Sequence, residues 1–209
     1  MTPPVASHPM ASRETGHVSA GEDDEMRPVA MHPEPVPHDP AALRWVVGGA
    51  QLSSGLLTDA PGRLGEMLHA QVVSRAIVEP GAVWLWVADG SSWHDIGAET
   101  REALTEALSH PELWTIVADD DQVLRLVATD VISGQLADWI ASHGGRITLV
   151  DAGHDTIKVS LEGNCKGCPA AGLTMHGRIQ TAVSKRLGRA VSVTACTPPV
   201  RHRWGRRNK

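Results

Sequence analysis

Neither phenylalanine nor tyrosine occurs anywhere in this chain of 209 residues. Aromatic anchoring therefore falls to seven tryptophans, of which Trp204 alone lies in the C-terminal tail. Cysteine is also scarce, at three residues. An odd, small number fits a reducing interior better than a disulfide framework, so the cytoplasm is the expected location. No apolar run is long enough to span a bilayer, and none near the start could form the core of a signal peptide. A strong excess of one charge sign is missing as well. A net charge of −5 gives no general case for nucleic acid or membrane binding. Residues 1–38 hold almost no large apolar residue, contain half of the 14 prolines and carry the acidic knot Glu22-Asp23-Asp24-Glu25, which predicts a disordered tail.

What is present is concentrated around two of the cysteines. Cys165 and Cys168 stand three positions apart in Glu162-Gly163-Asn164-Cys165-Lys166-Gly167-Cys168-Pro169. Two thiols at that spacing can face one metal ion or cluster, or close on each other as a disulfide. Asn164 and Pro169 bracket the pair ahead of Met175, Ile179, Ala182 and Val183, which recur at helical spacing. Both thiols are thus expected in the loop entering a helix, where free backbone amides and the positive end of the helix dipole favour thiolate. Gly163 and Gly167 supply backbone freedom for the thiols to converge.

A strand leads into that loop. Thr156 to Leu161 alternates, with Ile157, Val159 and Leu161 on one face. Asp151 to Asp155 carries turn chemistry, and Arg146 to Val150 reads as the hairpin partner. Before it, Ile132, Leu136, Trp139, Ile140 and His143 have helical spacing, and Gly144-Gly145 stops that helix, with His143 stabilising its last turn. Val191 to Thr194 alternates as a last strand. The third cysteine, Cys196, follows it and reads as a small buried hydrophobe.

In the first half, Leu64, Met67, Leu68 and Val72 predict one helix, and Ala103, Leu104, Ala107 and Leu108 another. Val83, Leu85 and Val87 alternate with Trp84 and Trp86, so this strand is apolar on both sides. It is either central in a sheet or covered on one face by a partner. If exposed, Trp84, Trp86 and Trp93 would make a surface for holding client proteins.

The order helix, strand, strand, CxxC, helix, strand over Val131 to Thr197, with His143-Gly144-Gly145 closing the first helix and Leu161 to Pro169 entering the second, resembles the NifU C-terminal (Nfu) domain of iron–sulfur cluster assembly. Arg146 stands where the family often has an acidic residue, and Lys166 where a small one is usual. More softly, Asp39 to Val46, Leu64 to Leu68 and Val83 to Val87 resemble the Nfu N-terminal domain. The expected fold class is α+β, in two small two-layer α/β domains, the second of helix-strand-strand-helix-strand order around a short mixed sheet. The expected division is a tail over 1–38, an Nfu N-terminal-like domain over 39–112, a linker over 113–125, the CxxC domain over 126–198 and a basic tail over 199–209.

The resemblance implies a scaffold or carrier with no catalysis of its own. Cys165 and Cys168 would bind a [4Fe–4S] cluster, two chains sharing it as a homodimer, and cluster donors and apo iron–sulfur proteins would be the partners. No membrane or nucleic acid partner is expected. Two other readings of CxxC stay open on the residues alone: a thiol–disulfide oxidoreductase and a zinc-bridged interaction module.

Overall fold

The computed structural model describes residues 29–49, 52–164 and 169–196, with side chains throughout except at 169–175. Cys165 and Cys168, most of the N-terminal tail and the basic tail over 199–209 lie outside the described residues. The chain builds two open sheets with helices against them, as expected for the α+β class.

The first sheet is antiparallel throughout. It contains β1 (Met31–Pro35), β2 (Ala42–Val47), β3 (Gly55–Asp59), β4 (Val73–Glu79), β5 (Ala82–Val87) and β6 (Thr115–Val117). Their spatial order is β1-β2-β5-β4-β3-β6. Every residue of β5 is buried, which settles the meaning of its two apolar faces. Val83 and Leu85 pack with α1 (Gly62–His69) and α2 (Trp93–Leu108), against Leu64, Met67, Ala103 and Leu104. Trp84 and Trp86 point the other way, into a core shared with the C-terminal half. Trp84 is fully buried and Trp86 is 9% exposed. The Trp-rich client surface expected around these residues is therefore absent: a strand with two apolar faces gains from burying both, at roughly 1.5–3 kcal/mol per large side chain.

Two further expectations are corrected. Residues 31–35, expected to lie in the disordered tail, pair with β2, Pro33 standing opposite Trp45 and Pro35 opposite Leu43. β1 is an edge strand, where proline's missing N–H costs no ladder bond. The stretch expected as linker, 113–125, contains β6, paired with β3, and the start of α3 (Asp120–Asp130). Its acidic triplet is a helix start: the Asp119 side chain accepts from the Gln122 amide at 2.9 Å, and Asp120 and Asp121 occupy the first turn.

From α3 the backbone passes through a π-helical turn (Val131–Gln135) into α4 (Ala137–Ser142). Then follow β7 (Gly145–Gly153), β8 (Thr156–Gly163), α5 (Pro169–Leu187) and β9 (Ser192–Cys196). β7 and β8 form a hairpin turned by His154 and Asp155, both with positive φ. β9 lies parallel to β8, which requires a crossover, and α5 supplies it. Ile157 and Val159 from β8 meet Ile179, Val183 and Leu187, spaced four apart on α5.

Where the two halves meet there is a buried ion-pair cluster. Glu79, at the end of β4, is fully buried. It accepts from Arg44 of β2 at 2.7 Å and from Arg186 of α5 at 2.8 and 2.9 Å. Arg186 also reaches Asp130 at 2.5 Å, and Arg44 reaches Glu34 at 2.6 Å. Burial alone would lower the Arg44 pKa, but the Glu79 carboxylate beside it more than reverses this, so the guanidinium is held more firmly charged than usual.

Candidate functional site

The cysteine pair is attached to well-described structure on both sides. β8 delivers the chain to Gly163 and Asn164, and α5 receives it at Pro169. The delivery point is bolted to the end of α4. Gly163 has φ of 66°, and a β-carbon there would stand 2.5 Å from the Gly144 carbonyl oxygen, so only glycine permits this approach. The Asn164 amide donates to that same carbonyl at 3.2 Å. Its side-chain Nδ2 donates to the His143 carbonyl at 3.2 Å. Gly144, with φ of 66°, ends the helix and brings its carbonyl to this position.

His143 performs the capping role expected of it. Its Nδ1 lies 2.7 Å from the Trp139 carbonyl oxygen, one turn earlier in α4. Its ring rests on the Trp139 indole, centroids 4.7 Å apart. The Arg178 guanidinium, from α5, stands 4.3 Å from the Trp139 ring centre. Through Trp139 these contacts join the end of α4 to α5. Sequence reasoning placed Trp139 on a helix but missed its partner Arg178, because residues on two helices share no local pattern.

Cys196, expected as a buried hydrophobe, is half-buried at the end of β9. It stands opposite Ser160 in the parallel register, and its thiol lies 3.6 Å from the Val159 carbonyl oxygen. Among the described residues, no group of three or more His, Cys, Asp or Glu could hold a metal ion. Two thiols on one chain are a soft but incomplete donor set, suited to iron–sulfur or zinc when a second pair completes it. Among the described residues, no helix is long and apolar enough to cross a membrane.

Comparison with known proteins bears on the same region. A NifU-like domain is matched over residues 129–194, from the last turn of α3 into β9 with both cysteines inside. The chain is 33% identical over 105 residues to nitrogen fixation protein NifU 1 of Rhodobacter capsulatus, covering 50% of this chain and 67% of that one. It is 25% identical over 105 residues to NifU-like protein 2, chloroplastic, of Arabidopsis thaliana, covering 46% of this chain and 45% of that one. The domain match begins at residue 129, so the likeness of residues 39–112 to an Nfu N-terminal domain has no counterpart in it.

Proposed function

The chain belongs to the NifU/Nfu family, and from that premise we propose that it is a scaffold or carrier that binds a [4Fe–4S] cluster through Cys165 and Cys168 and passes it to apo-proteins. The observation that carries this reading is the position of the pair within the matched domain, between an anchored strand end and a long helix. The cluster is cargo, so the protein needs no catalytic groups of its own.

Ligand counting sets the assembly. Four thiolates hold such a cluster and each chain offers two at this motif, so two chains bridge it as a homodimer. A cluster shared at a protomer interface lacks a full cage from either chain. Thiols of a client can then replace the ligands one at a time. The cluster with its thiolates is anionic, and Lys166 together with the amides opening α5 offsets part of that charge.

Anaerobic iron and sulfide analysis of the purified protein with its absorption spectrum tests the reading. A brown protein with about two irons per chain, as the four-iron stoichiometry requires, is the expected result. A colourless zinc protein would favour the zinc-bridged module, and a metal-free protein with a reversible disulfide the thiol–disulfide exchanger. Sedimentation of both forms tests the bridge: the apo-protein should be monomeric and the loaded protein dimeric.

A further inference from the structure

We propose that the free edge of β7 is a docking site for an extended segment of a partner protein, which adds a strand there and seats acidic residues on Arg125 and Arg146. β7 is an edge strand, bonded to β8 on one side alone. A groove of about 620 Å³ runs along its other side. The consecutive residues from Gly145 to Leu149 all line this groove, whereas a cavity lying on one face of a strand would meet only every second residue. The groove therefore opens on the strand's edge. Among the described residues, no backbone bond other than those to β8 reaches residues 145–150, so alternate N–H and C=O groups of this stretch face the groove.

The other sheet edges are shorter or blocked. β1 carries Pro33 and Pro35, and β6 and β9 are three and five residues long, while β7 has nine. The bulge of β7 between Leu149 and Asp151 ends its regular stretch, so a pairing strand fits over Gly145 to Leu149, the same residues that line the groove. The far wall is apolar, with Ile132 from the π-helical turn and Ala137 and Ile140 from α4. A strand edge beside such a wall takes extended chain: the main chain bonds to the edge, and alternate side chains enter the wall. Charge sets the partner's chemistry. Among the described residues no carboxylate lines the groove, and the exposed Arg146 at one end forms no ion pair. At the other end stands a second guanidinium, Arg125, which reaches Asp151 and the Ala152 carbonyl. A segment with acidic residues roughly 15–17 Å apart, about five residues of extended chain, and apolar residues alternating between them complements both. On the carrier reading such a segment belongs to a client, although the described lining of the groove contains no cysteine.

Fluorescence anisotropy of a labelled synthetic peptide, with a glutamate at each end and valine and threonine alternating between them, measures docking on the full chain. Saturable binding is expected. Two N-methylated forms of the peptide separate strand pairing from attraction of charge alone. Methylating the amides along one edge of the peptide should abolish binding and methylating those along the other should leave it, since only one edge can meet β7. Arg146→Glu should weaken binding roughly 5- to 30-fold, as an exposed attraction is lost and a repulsion gained, and a peptide ending in lysines should recover it. Equal loss with both methylated forms, or an unchanged affinity of Arg146→Glu, would overturn the proposal. So would a protein that self-associates without metal and excludes the peptide, because a second copy would then hold the edge. Iron and sulfide content is read separately: a colourless protein that binds the peptide sinks the carrier reading and leaves the docking site, and a brown one that ignores the peptide does the reverse.

Discussion

The two sheets divide the work of the molecule. The six-stranded sheet is covered on both faces, and its central strand β5 exposes only slivers of Trp86 and Val87. The three-stranded sheet is short, mixed in direction, and ends where the chain enters the cysteine motif. The ion pairs differ in the same way. Glu79 sits between two arginines in a fully buried position, whereas Asp151 on β7 meets Arg125 and Lys158 at the open surface. A region that stores stability is sealed. The proposed exchange of a ligand calls for an open edge, and the C-terminal region is joined to its neighbour through the shared core and Arg186.

The sharpest contrast is between thiols and core. Cys165→Ser or Cys168→Ser should abolish iron binding while the circular dichroism spectrum stays that of the wild type. Iron retained by either variant would break the assignment of chemistry to one region and stability to the other.

Next comes Glu79→Gln, which leaves two nearly buried guanidinium groups without their carboxylate. The expected loss is about 3–5 kcal/mol, the range for breaking a buried pair from one side. Urea unfolding of both proteins measures it, and a loss within the error of the fit would show that water compensates the two arginines.

Gly163→Ala acts at the junction of the regions. A side chain in the left-handed conformation costs about 1–2 kcal/mol, and the β-carbon would also push against the Gly144 carbonyl. Because the strain falls at the entrance to the cysteine loop, cluster content should fall by more than global stability does. Equal behaviour of Gly163→Ala and wild type in both assays would mean that the loop does not depend on this close approach.

Cys196→Ser should keep the full iron content, with a stability loss of order 1 kcal/mol for placing a hydroxyl at a half-buried site. Loss of iron would make Cys196 a ligand, against its contact with the Val159 carbonyl.

The smallest effect is expected at Asp151. The Arg125 hydrogen bond, helped by the Ala152 amide and the Lys158 charge, holds its carboxyl below the ordinary carboxylate pKa, on a fully exposed group where solvent screens the gain. A lowered folded-state pKa means that the contribution is present above the unfolded pKa and is lost as pH falls through the folded one. Thermal melts of Asp151→Asn should therefore lie marginally below the wild type at neutral pH and converge with it under acid conditions.

The elements of the C-terminal module were legible from local pattern. Alternation gave β8, helical spacing gave α5 and the helix ending at His143, and the turn residues gave the hairpin, which closes at His154 and Asp155. Longer-range features were not. The Asp119-Asp120-Asp121 run looked like linker because three acids in sequence read as solvated chain, and only the course of α3 shows them to be its start. β1 was hidden by its prolines, and β6 by its brevity. Glu79 passed unremarked because nothing near it in sequence provides its partners. Those arrive from residue 44 on β2 and residue 186 on α5.

By itself the sequence determined which residues alternate, which recur every third or fourth place, where the thiols stand and which family their surroundings belong to, because each of these depends on chain neighbours alone. Only the tertiary structure decided what covers Trp84 and Trp86, which carbonyls hold Gly163 and Asn164, and that Arg178 and His143 both meet Trp139. Such contacts join residues far apart along the chain. They are selected by how two sheets and their helices pack, and no local pattern encodes that choice.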